Sequence, residues 1–393
     1  MTPAERSLYS VHLSTARTWR GGENQIWLLA RGLQQRNQKV MVLAPPGAPL
    51  LERCASAGVP AQALGFCCEL DPLGVLRLAA LLRREAPDIL HLHDGHALLA
   101  GQLAACFSGQ RRLRVVAHRR TAFDVKGRWK YGRRVDRIIA ISAAVRDKLL
   151  AAGLPTSRIA VAHSGLEFGL GGAGSSGAQE EETAREAAAL RKRLGVAEEA
   201  LLVAHAGALT AEKRQLDCIA GLARANEMLK GRGRASVHMA LAGTGDQEAL
   251  LRQEVRRRGL EGQVHFLGFV RDLRPLWAAS NMALFASEAE GLCTSLIEAQ
   301  GAGLPAVITR AGGMVEVVAA GESGLVVEVG DIDGIAGALV RLAEDVGLRE
   351  RLGKAGSRLV RQKFSCEVMV EGILRVYRSL VIGPWSLAQR TKD

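Results

Sequence analysis

The stretch from Asn281 to Thr309, NMALFASEAEGLCTSLIEAQGAGLPAVIT, constrains this chain more than any other. Met282 to Ala286 is an apolar run of strand length, Ser287 to Cys293 is small and polar, Thr294 to Gln300 is made of helix formers, and Gly303-Leu304-Pro305 stops a helix before a second apolar run, Ala306 to Thr309. Strand, loop, helix, turn and strand in that order form one parallel α/β unit. Glu290 then lies in the loop and Glu298, eight positions later, in the first turn of the helix. The N–H groups of Gly291, Leu292, Cys293, Thr294 and Ser295 sit at the positive end of the helix dipole without intrahelical acceptors, which suits a phosphate, and two flanking carboxylates suit sugar hydroxyls. A plainer use is open too: Ser295-Leu296-Ile297-Glu298 spells a capping box, and Glu290 can be a solvated loop charge.

At 393 residues the chain is long enough for two apolar cores, and its longest apolar run, Ala97 to Phe107, is interrupted by Gln102 and too short to cross a bilayer. The N-terminus carries Glu5 and no apolar stretch of signal-peptide length, so a cytoplasmic setting is expected. Seven scattered cysteines without zinc-like spacing fit reduced thiols. The net charge of +12 falls wholly in residues 1–170, which hold 24 Lys and Arg against 12 Asp and Glu. It concentrates from Arg111 to Lys148, where Lys126, Arg128, Lys130, Arg133, Arg134 and Arg137 alternate with Phe123, Trp129 and Tyr131. Such a patch attracts anions: a phosphorylated acceptor, lipid headgroups or nucleic acid.

Taken in order, the chain alternates strand and helix twice. Leu8 to Leu13, Val40 to Ala44, Pro87 to His93, Val115 to Arg120 and Val135 to Ser142 read as strands of a first doubly wound sheet; His91, His93 and His96 fall at or beyond one carboxyl end, and His118, Arg119 and Arg120 at another. Gly21-Gly22 between the first strand and its helix allows a ligand close to the backbone. Glycine, serine and acid after Phe168 suggest a solvated linker, and a second alternation starts at Leu201. The expected layout is a domain over 1–170, a linker over 171–197, a second domain over 198–363, and a C-terminal helical segment, 364–393, returning to the first domain.

With these elements in place, the chain from Ser7 to about Leu380 resembles retaining family-4 glycosyltransferases of the GT-B fold, lipopolysaccharide and cell-surface glycan type. The likeness is carried by Gly21-Gly22-Glu23-Asn24-Gln25, His91-Leu92-His93, His118-Arg119-Arg120, Arg128-Trp129-Lys130-Tyr131, Asp136 to Ser142, His163-Ser164-Gly165 and the pair Glu290 and Glu298 with its flanks. It implies two Rossmann-like doubly wound domains facing a central cleft. It also implies that Glu298 holds ribose, Glu290 the donor sugar, the Gly291–Ser295 amides the diphosphate, and Lys213 a phosphate whose charge grows in the reaction. Gly243 and Phe269 match donor-side positions, and His93 the cleft histidine; His118, Arg119 and Arg120 match the acceptor side. Relatives often have arginine where this chain has Ala208 and glycine where it has Arg214, so Arg214 is the candidate second phosphate cation.

The expected reaction is transfer of a sugar, with retained configuration, from a UDP- or GDP-linked donor to a hydroxyl of a phosphorylated or lipid-linked saccharide, without a cofactor or metal. Asp331-Ile332-Asp333 spells D-x-D but precedes a helix, where aspartate caps. The basic patch would seat the enzyme on the inner face of an anionic membrane, with Trp129 and Tyr131 at the interface. A sugar-nucleotide epimerase or phosphorylase of the same fold is the alternative; a nucleic-acid-binding protein is a more distant one.

Overall fold

The computed structural model describes residues 6–68, 71–125, 127–132, 134–168 and 177–382. The chain divides into two compact units, one of residues up to Leu166 together with those from Phe364 on, the other from Glu167 to Lys363. The first holds seven parallel strands: β1 (Tyr9–Leu13), β2 (Lys39–Ala44), β3 (Ala61–Ala63), β4 (Ile89–Leu92), β5 (Arg114–Arg119), β6 (Arg137–Ala140) and β7 (Ile159–Val161). Their spatial order is β3-β2-β1-β4-β5-β6-β7. The second holds β8 (Leu201–Ala206), β9 (Val237–Ala242), β10 (Val264–Gly268), β11 (Met282–Phe285), β12 (Ala306–Thr309) and β13 (Gly324–Val327), in the order β10-β9-β8-β11-β12-β13. In each sheet the order reverses beside the first strand, β1 or β8, and at such a switch point the carboxyl ends leave a crevice.

Helix starts follow side-chain chemistry. Asp71 accepts from the Gly74 amide with Pro72 behind it, Ser142 from Val145, and Ser365 from Val368. Asp331 accepts from Gly334 at 2.8 Å and Asp333 pairs with Arg224, so the D-x-D residues cap a helix and sit on its surface. Asp94 caps the helix Gly95–Phe107 and also receives the Thr15 amide and hydroxyl, tying the loop after β1 to the end of β4.

The final helix, Cys366–Val381, packs Met369, Val370, Ile373, Leu374 and Tyr377 against Leu28, Leu29 and Leu33 of the helix Gly21–Gln35 and against sheet residues of the first unit. The approach is close enough that a Cβ on Gly32 would fall 2.5 Å from a Val370 methyl. Leu166 and Ser365 form a parallel bridge where the chain re-enters this unit.

Three features differ from the sequence reading. Residues 177–193, expected inside a linker, form a helix that buries Thr183, Ala187 and Leu190; its charged outer face hid a buried stripe of only three positions. Residues 171–176 and 383–393, also assigned above, lie outside the described residues, as do Lys126 and Arg133. The short strand β3 and the helix Pro49–Ser56 were not foreseen, because β3 is exposed along its length and carries no apolar alternation. Among the described residues no helix is long and apolar enough to cross a membrane.

Backbone crowding in the second unit gives a direct stability test. A Cβ on Gly353 would lie 2.0 Å from the Gly303 carbonyl oxygen, whereas one on Gly337 would meet nothing within 4 Å. Gly353→Ala is expected to destabilise by about 1–3 kcal/mol as the helix is pushed outward, and Gly337→Ala to stabilise by up to about 1 kcal/mol through helix propensity. Urea unfolding of the two variants should shift the midpoint in opposite directions.

Candidate active site

In the second unit the loop after β11 carries Glu290, 9 % exposed, against Lys213, which follows β8. Lys213 Nζ donates to Glu290 Oε1, and the Ser287 hydroxyl donates to the same oxygen at 3.1 Å. The Thr309 hydroxyl at the end of β12 holds the Ser287 carbonyl at 2.6 Å, and the Glu288 amide donates to Glu212 O at 2.9 Å, so both arms of the ion pair are fastened. Burial opposes the lysine charge, but Cys293 and Glu290 outweigh it and hold its pKa above the ordinary value. Burial also pushes the Cys293 thiol up to about 12, with Glu290 adding to the effect.

The loop is shaped by two glycines from another turn. Gly313 donates its N–H to Glu290 O at 3.0 Å; a Cβ on Gly312 would lie 2.1 Å from Glu290 O, and one on Gly313 2.2 Å from Gly291 O. Only side-chain-free residues permit this approach. The helix runs Thr294–Gly301 with Cys293 as its N-cap and no side-chain cap. Among the described residues the N–H groups of Gly291 to Ser295 donate to no acceptor. The capping-box reading of Ser295 and Glu298 therefore fails: Ser295 is already inside the helix, and Glu298, at the start of the second turn, takes a hydrogen bond from Trp277 instead. Burial raises the Glu298 carboxyl to about 7 despite that bond, with Asp272 adding to the rise.

Other donor-side residues divide by environment. Arg214 sits at φ 51° with its guanidinium held by Asp217 at 2.6 Å and Glu288 at 3.1 Å, while Ala208 is exposed. Gly243 is demanded by packing, since a Cβ there would fall 1.9 Å from Gly207 O. Phe269 is 76 % exposed, and its neighbours Leu267 and Val270 line a cavity of about 480 Å³ with Leu190 and Asp272.

In the first unit, Gly21 and Gly22 form the first turn of the helix Gly21–Gln35, where a Cβ on either would meet nothing within 4 Å. Local packing demands neither. Gln25 of the same motif exchanges two hydrogen bonds with the Gly165 backbone, at 2.8 and 2.9 Å, so this glutamine serves the fold.

His91 and His93 are buried and His96 is exposed. Parallel register places His12 of β1 opposite His91 of β4, and His118 comes one residue after the Leu92 and Ala117 pair, so four imidazoles share one face at the carboxyl ends. His93 Nε2 lies 3.0 Å from His12 Nδ1, whose ring continues to Ser10 Oγ at 3.0 Å. His118 Nδ1 lies 3.1 Å from His91 Nε2, and His91 Nδ1 lies 2.6 Å from the Tyr377 hydroxyl. Arg120 reaches His93 Nδ1 and O, both at 3.1 Å. Sequence reasoning missed His12; the signal was a polar residue at the same alternation as His91 and His118 inside apolar strands. His12, His91 and His93 bring ligand atoms within 4.8 Å of one another, yet a divalent ion there would have to displace these hydrogen bonds and lie beside a guanidinium.

The basic segment is less open than its sequence suggests. Tyr131, expected at an interface, is buried, because Arg158 donates to Tyr131 O, Gly132 O and Val135 O and Gln102 to Lys130 O, folding the turn inward. Arg119 donates to Thr121 O and Phe123 O and Arg137 to Ser157 O. Trp129 and Phe123 remain 65 % and 55 % exposed.

Residues 19–168 match the family described as Glycosyltransferase Family 4, and residues 186–359 the family described as Glycosyl transferases group 1. The chain is 28 % identical over 193 residues to N-acetyl-alpha-D-glucosaminyl L-malate synthase of Bacillus anthracis, covering 49 % of each chain. It is 32 % identical over 143 residues to the lipopolysaccharide core biosynthesis glycosyltransferase LpsE of Rhizobium meliloti, covering 36 % of this chain and 42 % of that one. The matches thus span about half the length of these relatives or less. Anabaena HepE, solved in complex with UDP, superposes with a TM-score of 0.79 at 21 % identity over 95 % of this chain and all of that one. A glycosyltransferase from Rickettsia africae superposes at 0.81, with 16 % identity over 96 % of this chain and 99 % of its own. These likenesses show the fold.

The histidine cluster makes stability depend on pH. Burial lowers all four pKa values, that of His12 to about 3, with Arg120 adding to this for His12 and His118, His118 for His91, and His91 for His93. Below the ordinary imidazole value of 6.5 the unfolded chain takes up protons that the folded cluster refuses, so stability is full above pH 6.5 and is lost as pH falls. Each histidine costs about 1.4 kcal/mol per pH unit in that window, and Glu298, displaced upward, offsets at most one of the four. Urea midpoints measured between pH 7.5 and 5.5 should fall steeply; a flat profile contradicts a neutral buried cluster.

Proposed function

We infer that this chain, a GT-B glycosyltransferase of group 1 by the domains its two halves match, transfers a sugar from a nucleoside-diphosphate donor to a hydroxyl of a cell-surface glycan acceptor, with retention and without a metal. The observation that carries the reading is the Gly291–Ser295 loop, whose unshared amides end beside the Lys213 and Glu290 pair, with the half-buried Glu298 in the helix they open. The amides donate to a diphosphate, and Lys213 offsets charge on the departing phosphate, a preorganised effect of about 3 kcal/mol by comparison with single oxyanion donors. Glu290 and Glu298 are acceptors for sugar and ribose hydroxyls. The family resemblance favours a front-face route, in which the leaving phosphate takes the acceptor proton and the enzyme supplies position and charge. The Anabaena relative's UDP complex favours a uridine donor, and the Rhizobium relative's name favours a lipopolysaccharide-type acceptor. A phosphorylated or lipid-linked saccharide would explain the cationic first unit, with Trp129 and Phe123 against an anionic membrane.

The ion pair alters how these roles are tested. Removing either partner leaves a charge almost out of water, at a cost of about 3–5 kcal/mol, so alanine variants confound activity with folding. Glu290→Gln keeps the shape of the side chain, and Lys213→Met with Glu290→Gln removes both charges together. Turnover of the double variant is expected to drop at least about a hundredfold while its urea midpoint stays closer to wild type than that of Lys213→Met alone. Wild-type turnover in the double variant would refute the assigned roles.

A donor screen supplies the second test. UDP or GDP, and their sugars, are expected to raise the Tm, by about 2.7 kcal/mol of added stability at a ligand concentration a hundredfold above Kd. Transfer should continue in EDTA, and NMR of the product should show the donor's anomeric configuration. No shift with any nucleotide, together with salt-sensitive nucleic-acid binding, would overturn the reading.

A further inference from the structure

We propose that Arg120 is a positioning residue: its guanidinium confines the proton of His93 to Nε2, and so orients the buried chain from Arg120 through His93 and His12 to Ser10 in one direction. A guanidinium only donates. One of its amino groups lies 3.1 Å from His93 Nδ1 and the other 3.1 Å from His93 O, so a single planar group grips both ring and backbone. His93 Nδ1 must therefore accept, and the neutral ring carries its hydrogen on Nε2. That hydrogen points at His12 Nδ1 at 3.0 Å, which must accept in turn, leaving His12 Nε2–H to donate to Ser10 Oγ at 3.0 Å. Each assignment forces the next.

Charge placement supports the same role. Among the described residues Arg120 forms no salt bridge; Glu23 and Asp94 act on it from further away, and the Asp94 oxygens are taken by Thr15 and Ala97. Arg120 is half-buried with its Nε out of water, and a partly desolvated cation without a carboxylate is costly and is seldom kept for stability alone. The groups facing it are His93, His12, His91, His118 and the Tyr377 hydroxyl, together with Glu23 and Asp94.

The consequence is that His93 acts as a neutral strut under the carboxyl edge of the first sheet. Its lone pair is taken by Arg120 and its hydrogen by His12, so it is neither a general base nor a free donor. Polar atoms left over at this edge are Arg120 Nε and His118 Nε2, both buried and without a partner among the described residues. The second chain, His118 to His91 to Tyr377, ends in a hydroxyl that can donate or accept, so Arg120 does not set its direction. It serves as an internal control.

The tautomer assignment stands on hydrogen-bond geometry, whereas its effect on turnover rests on the glycosyltransferase reading. Full-length protein labelled with 15N-histidine, with ring signals assigned through His93→Gln and His12→Asn, is examined by long-range proton–nitrogen correlation from pH 8 to 6. Wild-type His93 is expected to be neutral with its hydrogen on Nε2 throughout. In Arg120→Met the ring should populate both tautomers and titrate nearer pH 6.5, Arg120→Lys should restore the wild-type pattern, and the His91 and His118 rings should keep their tautomers. In turnover, Arg120→Met should lower kcat roughly tenfold with little change in acceptor KM, and Arg120→Lys should recover most of it. A wild-type His93 that is protonated, or that carries its hydrogen on Nδ1, overturns the proposal even if no variant folds. An Arg120→Met protein with an unchanged tautomer and a raised acceptor KM overturns it in favour of direct substrate contact. Failure to detect transfer from any donor would count against the reaction while leaving the ring spectra decisive.

Discussion

Lys213 is a partly desolvated cation that one nearly buried carboxylate holds in place, and the loops after β8, β11 and β12 are arranged around keeping that pair together. Two charges at hydrogen-bonding distance attract by several kcal/mol at the dielectric of a protein edge, but each has given up hydration of similar size. The balance is positive only because the geometry is fixed elsewhere: Ser287 adds a second donor to Glu290, Thr309 restrains Ser287, and Gly312 and Gly313 let another turn press against the loop. Replacing either glycine would move a backbone carbonyl and, with it, the acid. The pair is thus a property of three strand ends, those of β8, β11 and β12, and of the turn after β12, and not of two side chains.

The same restraint leaves the amides beside the pair unspent. Glu290 faces the lysine and Glu298 faces Trp277, so neither carboxylate caps the helix Thr294–Gly301. Had Ser295 and Glu298 closed a capping box, two donors would have been used and the anion cradle weakened. A helix that starts without a side-chain cap carries a stability cost of about 1 kcal/mol. Under the proposed function, such a start next to a partly desolvated lysine trades stability for a diphosphate site.

The strand and helix order of this segment was legible because buried parallel strands are short apolar runs and glycine with proline marks their ends. Legible too were Glu290, Lys213 and the glycine-bearing loop, since resemblance supplied roles that spacing alone left open. The pairing of Lys213 with Glu290 was not, because the two lie 77 positions apart and only the β8 and β11 neighbourhood joins them. Likewise the role of Gln25 depends on Gly165, 140 residues away, and the burial of Tyr131 on three carbonyls that Arg158 gathers. A residue count registers basic charge but not the carbonyls that claim it; this is why the segment from Arg111 to Lys148 promised a more open cationic face than the fold presents. The helix over 177–193 was hidden for the opposite reason, an exposed face so densely charged that it read as solvent-facing throughout.

Arg214 shows how a departure from a family pattern can be read physically. Its backbone lies at φ 51°, in the left-handed region where a side chain costs about 1 kcal/mol relative to glycine. The chain tolerates arginine there because Asp217 and Glu288 both bind the guanidinium, and Glu288 in turn is fastened through its amide to Glu212. An arginine held by two acids carries little net field toward a ligand. Lys213, with one acid shared by Ser287, retains more, and a phosphate competing for its ammonium would free Glu290 to turn toward a sugar hydroxyl. Under the proposed function, Lys213 and the helix amides would therefore carry more of the electrostatic work on a diphosphate than Arg214, whose charge two acids already share.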